Sequence, residues 1–133
     1  MHTVDIHVRF YELDPYRHVN HSAYIQYFET ARIQLLEDIH LGLIHLEDRG
    51  YRIVVTSIET RFLKSAEMGD TLTVQTWVED IRRATATWGQ RILKDDEVYA
   101  TQSVGAAILD LTGKPTRWLP EFEQAMTPFR IGP

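Results

Sequence analysis

The sequence has no cysteine among its 133 residues, which excludes disulfide bonds, thiolate metal ligands and cysteine nucleophiles. It also lacks the run of ~18 apolar residues that a membrane-spanning helix needs, and its first residues lack the basic segment and apolar run of a secretory signal. From these absences we expect a cytoplasmic protein that does not interact with membranes.

An excess of basic residues is also missing. Fourteen Lys and Arg face nineteen Asp and Glu, which gives a formal net charge of −5. Proteins that bind nucleic acid normally carry a basic surface, so we expect no nucleic-acid partner. With 44% hydrophobic and 25% charged residues, the composition is that of an ordinary globular protein. The length fits a single domain spanning residues 1–133.

Hydrophobic periodicity predicts one long helix within a chain of strands. Apolar residues alternate in the first segment, recur at three- and four-residue steps in the second, and alternate again in most later segments. A glycine at position 42 suits a left-handed cap at the end of the long helix. The predicted elements are strand 4–11, helix 23–41, a further helical turn at 43–48, strands 51–63, 72–78, 84–93 and 98–111, and a short helix at 120–126.

The links between the last four strands are short, which favours antiparallel pairing because parallel strands need long crossovers. The order predicts an α+β fold with one five-stranded sheet, and such a sheet twists enough to curl around an apolar helix. Four residues are candidates for an apolar outer sheet face, from which we expect an oligomer: Trp77, Trp88, Val104 and Ile108.

Some kinds of active site find no support in the sequence. None of its serines lies in a Gly-x-Ser-x-Gly motif, and no glycine-rich phosphate-binding loop is present. These absences remove the main support for a serine hydrolase or a nucleotide-binding protein.

Residues 14–24 concentrate polar side chains directly before the long helix. Unpaired N–H groups at a helix start can stabilise the oxyanion that forms when a carbonyl is attacked. Asp14 could act on such a carbonyl as a nucleophile, or as a general base for water. Asp and Asn before a helix are also common as turn and capping residues, so spacing alone leaves both interpretations open.

Four segments together resemble one family over nearly the whole chain. They are VRFYELD (8–14), HVN (18–20), YIQYFETAR (24–32) and AEMGD (66–70). The sequence is similar to the hotdog-fold acyl-CoA thioesterases of the 4-hydroxybenzoyl-CoA thioesterase-like family. The resemblance implies a curled five-stranded antiparallel sheet wrapped around a long central helix, with an acyl-CoA substrate, no metal and no organic cofactor.

The resemblance also implies the roles of particular residues. Asp14 occupies the position of the family's catalytic carboxylate, and amides at the helix start polarise the thioester carbonyl. His18 and Asn20 are assigned to the catalytic site as its neighbours, and His21 and Tyr24 to substrate binding, although His18 could merely orient the loop and Asn20 could merely cap the helix. The sequence departs from the family pattern at Tyr16 and Arg17, where some members have small residues.

The family's basic unit is a dimer with composite sites, so the resemblance implies a homodimer or homotetramer in which one subunit's loop faces strand 51–63 of the other. Ser57 and Glu59 interrupt an otherwise apolar run in that strand and are predicted to bind substrate. Two further predictions concern structure alone: an ion pair between Glu29 and Arg32 on the helix, and a hairpin turn at residues 69–70.

Three alternatives remain at the level of sequence. Asp14, His18 and His21 supply ligand types that could hold a hydrolytic metal ion, but no downstream ligand is evident. A non-catalytic module that binds acyl-CoA or an acyl carrier would keep the groove and not need the carboxylate. A hotdog hydratase acting on enoyl thioesters would use an acid/base pair to add water across a double bond.

Overall fold

The computed structural model describes all 133 residues as one sheet with helices. The five strands pair antiparallel in the order β1-β3-β4-β5-β2, so β1 and β2 are the edges. This arrangement confirms the predicted α+β class. The elements in chain order are β1 (His2–His7), α1 (His21–Asp38), α2 (Leu43–Asp48), β2 (Tyr51–Phe62), β3 (Thr71–Ile81), β4 (Thr85–Lys94), β5 (Glu97–Asp110) and α3 (Pro120–Met126).

Helix α1 lies against the inner face of the sheet and buries one side, including Tyr27, Phe28 and Leu35. The apolar interior divides into two clusters along the helix. One cluster surrounds the first half of α1, together with β1 and the start of β3. The other surrounds the second half of α1, together with α2 and α3. No helix is long and apolar enough to cross a bilayer.

The first strand is shorter than the predicted span of 4–11. It ends at His7 because its neighbour β3 begins at Thr71, which is paired with His7. Residues Phe10–Glu12 form a 3₁₀ turn instead, closed by the Arg9 amide donating to the Glu12 carboxylate at 2.8 Å. The alternation of apolar residues continues past the point where the strand has no partner, so the pattern overestimated its length.

Gly42 does not cap α1 in a left-handed conformation. The residue with positive φ is His40 at 63°, and α1 ends at Asp38. Gly42 has φ −59° and is the N-cap of α2, where a Cβ atom would lie 2.3 Å from a carboxylate oxygen of Glu37. A larger residue at this position would displace the exposed Glu37 side chain, and the backbone angles of Gly42 do not themselves require glycine.

The apolar outer face predicted from Trp77, Trp88, Val104 and Ile108 is largely wrong. Trp88, Val104 and Ile108 are buried, and Trp88 and Ile108 belong to the second core cluster. Trp77 lies on the other face, packed beside Gly89 and Gly132. At these positions the apolar side chains of β4 and β5 point to the inner face of the sheet. An alternating pattern shows that two faces differ but does not show which of them faces the helix.

A histidine near the start of the chain, His2, is buried. His2 Nε2 lies 2.7 Å from Asp38 Oδ2, which links β1 to the end of α1, and the His2 ring packs edge-on against Phe129. Hydrogen bonds from His2 and Gln34 lower the pKa of Asp38. The ionised carboxylate is therefore the form that the folded state favours.

We expect Asp38 to contribute stability that is complete above its unfolded pKa of about 4 and is lost as the pH falls below it, because its folded pKa is depressed. The urea midpoint of Asp38→Asn should consequently fall less between pH 5 and 3 than that of the wild type. Asp48→Asn, at an exposed carboxylate with no hydrogen-bond partner, is the control and should behave like the wild type. An equal fall of the urea midpoint between pH 5 and 3 in the wild type and in Asp38→Asn would contradict this assignment.

Candidate active site

Residues 13–19 form a tight loop that leads directly into α1. Leu13 and Val19 form an antiparallel bridge, and the Asp14 amide donates to the His18 carbonyl at 2.7 Å. The Arg17 amide donates to the Asp14 carbonyl at 3.0 Å, with Arg17 itself in the left-handed region at φ 66°. These bonds fold the loop back on itself, so that Asp14 lies near the start of the helix.

The Asp14 carboxylate is fixed by the backbone of its own loop. Its Oδ1 accepts hydrogen bonds from the amides of Tyr16 at 2.8 Å and His18 at 3.1 Å. Its Oδ2 has no partner in the chain, and the residue is partly exposed. Asp14 therefore acts as a turn residue, as its position in the sequence allowed, but its hydrogen bonds to the loop use only one of the two carboxylate oxygens. The other oxygen is free to act on a substrate.

Asn20 caps the helix, as the sequence suggested. Its side-chain oxygen accepts from the Ser22 amide at 3.0 Å and from the Ser22 hydroxyl at 2.9 Å. The amides of Ala23 and Tyr24 both donate to the Asn20 carbonyl. The cap therefore occupies most of the donors that the sequence assigned to oxyanion stabilisation.

One donor at the helix start remains free. The His21 amide is the only N–H of the first turn without an acceptor in the chain. It lies at the positive end of an 18-residue helix, where a developing negative charge is stabilised. A single amide, rather than several, is available to a carbonyl oxygen.

The two histidines of the loop have different surroundings. His18 is half-buried, and its backbone pairs with Glu67, while its ring has no hydrogen-bond partner. His21 is exposed, with its ring 6.0 Å from that of Phe62 on β2 in an edge-on arrangement. These two and Asp14 do not form a metal site, since no three metal-ligating side chains cluster anywhere in the structure.

Tyr24 is buried, and its hydroxyl is fully engaged. The hydroxyl donates to the Lys64 carbonyl at 2.9 Å and accepts from the Ala66 amide at 2.8 Å. The Ala66 carbonyl in turn accepts from the Val19 amide at 2.8 Å. Tyr24 therefore has a structural role, because these bonds hold the segment that supports the loop, and its predicted contact with substrate stays a prediction.

A second tyrosine that the sequence analysis missed supports the loop from the other side. The Tyr27 hydroxyl donates to Glu12 Oε1 at 2.9 Å, and the Glu12 carbonyl accepts from the Asn20 amide at 2.8 Å. Burial and the Glu12 carboxylate raise the pKa of Tyr27. The helical spacing of Tyr27 indicated a core residue only, and nothing in the pattern revealed Glu12 as its hydrogen-bond partner.

Tyr24→Phe is expected to destabilise the fold by about 1–3 kcal/mol, because it leaves a buried amide and a carbonyl without their partner. The urea midpoint measures this loss. Tyr16→Phe is the matched control, since Tyr16 is exposed and its hydroxyl has no hydrogen-bond partner. Equal midpoints for the two variants would contradict the anchoring role of Tyr24.

Ser57 and Glu59 lie on the opposite face of the sheet from the helix. Strand β2 has a bulge between Val55 and Ser57, after which Ile58 and Phe62 face inward and Ser57 and Glu59 face outward. Strict alternation from Val55 predicts the reverse, and the extra residue of the bulge changes the phase. The structure does not bring these two residues to the loop of their own chain.

The predicted ion pair between Glu29 and Arg32 is also absent. Arg32 Nη1 instead donates to the side-chain oxygens of Gln90 at 2.9 Å and Gln102 at 2.6 Å, on the inner face of the sheet. Residues 69–70 do form a tight turn, with Gly69 at φ 86°, but not a hairpin, because the flanking strands β2 and β3 pair with other strands and not with each other. Helical spacing alone could not show that a buried pair of glutamines faces Arg32.

Comparison with known proteins identifies the chain's relatives. The model of the thioesterase-like superfamily matches residues 8–126. The chain is 30% identical over 88 residues to the putative acyl-CoA thioesterase YneP of Bacillus subtilis, covering 66% of this chain and 64% of that protein. It is 28% identical over 94 residues to the acyl-CoA thioesterase YbgC of Haemophilus influenzae, covering 70% of this chain and 69% of that protein.

A solved structure has the same fold. The probable thioesterase from Bartonella henselae superimposes with a TM-score of 0.83 and 26% identity, covering 89% of this chain and 98% of that one. Its likeness extends over the sheet and the central helix, which confirms the hotdog fold expected from the sequence.

Proposed function

The chain belongs to the thioesterase-like superfamily, and from this premise we propose that it hydrolyses an acyl-CoA thioester to a free carboxylic acid and CoA. The names of the relatives from Bacillus subtilis and Haemophilus influenzae support this activity and this substrate class. The reaction as proposed requires neither a metal nor an organic cofactor. A fatty and an aromatic acyl group are both compatible with the proposal.

One observation supports the proposal more than any other: a carboxylate with a free oxygen and a helix amide with no acceptor belong to the same short loop-helix junction. Asp14 offers Oδ2, and His21 offers its N–H. An attacking group and an oxyanion donor are the two parts that acyl transfer from a thioester needs.

The proposed reaction begins when the thioester oxygen accepts a hydrogen bond from the His21 amide. Asp14 Oδ2 then removes a proton from water that attacks the carbonyl carbon, or attacks that carbon itself to give an anhydride that water opens. In both routes the C–S bond breaks and CoA departs as a thiolate. The thiolate takes up the proton that Asp14 removed from water in the first route and a proton from solvent in the second, so that CoA is released as the thiol. The two backbone donors on Oδ1 keep the carboxylate oriented throughout.

The surrounding residues have supporting roles in this proposal. Asn20 holds the helix start in place as its cap. His18 lies in the same loop as Asp14. Its ring has no hydrogen-bond partner and is suited to orienting the attacking water. The exposed His21 ring lines the entrance together with Phe62. Ser57 and Glu59 face outward in their own chain, so any contact of theirs with substrate would have to be made at the site of a second subunit.

Two alternative functions make different predictions. A binding module would retain acyl-CoA without releasing thiol, and an enoyl-thioester hydratase would remove the enoyl absorbance without releasing thiol. We expect an enoyl-CoA to yield thiol and an acid that keeps its C=C bond, which mass spectrometry of the released acid measures. Addition of water across the C=C bond before thiol release would favour the hydratase, and binding with neither change would favour the module.

We also propose that the working unit is a homodimer, or a homotetramer built from such dimers, with the site shared between subunits. Strand β2 is a free edge of 12 residues, and its inward residues Val55, Ile58 and Phe62 are 49%, 44% and 46% exposed. A long edge with apolar residues beside it is a surface that proteins normally cover. A second copy pairing there would close the site from the side of Phe62.

Sedimentation velocity tests this assembly. The wild type should sediment as a dimer or tetramer, and Ile58→Lys should give monomers with reduced turnover, because it places a charge on the covered surface. Ile131→Lys makes the same change at an exposed residue near the end of the chain and should leave the assembly intact. A fully active monomer would refute the shared site.

A further inference from the structure

A row of polar side chains crosses the otherwise apolar inner face of the sheet. Thr76, Gln90, Gln102 and Thr60 are neighbours in register on β3, β4, β5 and β2. The Gln90 amide donates to Thr76 at 2.9 Å, and the Gln102 amide donates to Thr60 at 2.8 Å. Both glutamines are almost completely buried, and the row separates the two core clusters.

Arg32 completes this row from the helix side. Its Nη1 donates to the oxygens of both glutamines, whereas its Nη2 and Nε have no acceptor in the chain. No carboxylate lies within ion-pair distance of the guanidinium, although the residue is partly buried. The guanidinium thus retains directed donors that are still accessible to solvent and free to bind a ligand, since the one buried side-chain polar atom without a partner is His2 Nδ1.

The guanidinium borders a cavity of about 280 Å³ between α1 and strands β2, β4 and β5. Nine of its eleven lining residues are hydrophobic, among them Leu36, Ile53 and Val104, and the two others are Arg32 and Glu29. A mostly apolar pocket with a few directed polar groups is typical of a small-molecule site.

The cavity lies at a distance from the reacting centre. Arg32 follows His21 by eleven residues of α1, which corresponds to about 16 Å along a helix axis at ~1.5 Å per residue. Along β2 the inward side chains run from Phe62, beside the His21 ring, to Ile58 and to Val55 in the cavity wall. Thr60 is the one polar residue among them, and its hydroxyl accepts from Gln102. An acyl chain extending along this mostly apolar strip would place its distal part beside Arg32.

We propose that the cavity receives the distal part of a long acyl chain and that Arg32 donates a hydrogen bond to a hydroxyl or keto oxygen carried on that part of the chain. The inference rests on the proposed thioesterase function and adds a substrate class to it. Arg32 is then a residue that determines specificity rather than one that takes part in the chemistry.

A neutral acceptor fits this pocket better than a carboxylate. Glu29 is exposed and lines the same cavity, so its charge would repel an anionic chain end, while the two side chains together leave the cavity formally neutral. An unsubstituted chain would displace water from the free N–H donors of Arg32 without offering them another acceptor. Such a chain should bind less well than an oxygenated one.

The experiment compares kcat/KM for long-chain acyl-CoAs of one length, either unsubstituted or with a hydroxyl moved stepwise along the chain. We expect the wild type to favour a distal hydroxyl by about tenfold, the effect of one hydrogen bond to a charged group. Arg32→Met should abolish this ratio. Arg83→Met removes an exposed arginine at the β3–β4 turn and should keep it.

A second variant tests the charge argument without disturbing the buried glutamines. Glu29→Gln changes an exposed side chain and should raise the relative turnover of a chain that ends in a carboxylate. An equal rate for all hydroxyl positions in the wild type, or an unchanged ratio in folded Arg32→Met, would overturn the inference while leaving thioester hydrolysis itself established. Absence of thiol release from every acyl-CoA would instead refute the proposed function.

Discussion

Asp14→Asn is expected to lower kcat for thioester hydrolysis by about 10²-fold or more while leaving the fold intact. An amide can neither attack the carbonyl as a carboxylate does nor remove a proton from water. The loop should survive, since an asparagine oxygen can still accept from the amides of Tyr16 and His18, as Oδ1 does now. The measurement is steady-state thiol release, with unchanged acyl-CoA binding as evidence of an intact site.

A second neutralised carboxylate serves as the control for this result. Asp95 lies exposed in the turn between β4 and β5, so Asp95→Asn should retain wild-type turnover. Near-normal turnover in a folded Asp14→Asn protein would remove Asp14 from the mechanism and favour the interpretation of this residue as a turn former.

His21→Pro is expected to lower kcat by about 10²–10³-fold, because it deletes the one free amide at the helix start. Proline is well tolerated at the first position of a helix, where the missing N–H has no intrahelical acceptor. The preceding Asn20 has φ −62° and ψ 142°, a conformation compatible with a following proline. The substitution therefore removes a donor without breaking α1.

His21→Ala separates the amide from the side chain. It keeps the N–H and removes only an exposed ring that contacts Phe62, so its kcat should stay much closer to the wild type than that of His21→Pro. Circular dichroism should show equal helix content in both variants. Equal kcat values for the two variants would mean that the amide does not stabilise the oxyanion.

The sequence predicted the order of elements well because each depends on local periodicity and turn residues. The cap at Asn20 and the loop at Asp14 were found in the same way. The sequence failed where distant residues decide: the edge of β3 ends β1, and two buried glutamines replace Glu29 as the partners of Arg32. The bulge in β2, which sets the faces of Ser57 and Glu59, was not predicted either. None of these contacts has a signal in local spacing.

The free amide of His21 shows the same limit on a smaller scale. The sequence predicts several donors at the helix start, and only the hydrogen bonds of the folded chain reveal that Asn20 occupies the others. Conversely, the Tyr24 hydroxyl looked available to a ligand until the structure placed it on Lys64 and Ala66. Which polar groups are satisfied is a property of the tertiary structure.

Thiol release from acyl-CoA by the purified wild-type chain tests the central claim most directly. A series of acyl-CoAs from short to long and including aromatic acyl groups is incubated with the protein, and free thiol and free acid are both quantified. We expect equal amounts of the two over many turnovers per chain for at least one acyl group, without added metal or cofactor. Release no faster than in the absence of protein across the whole series would contradict the account.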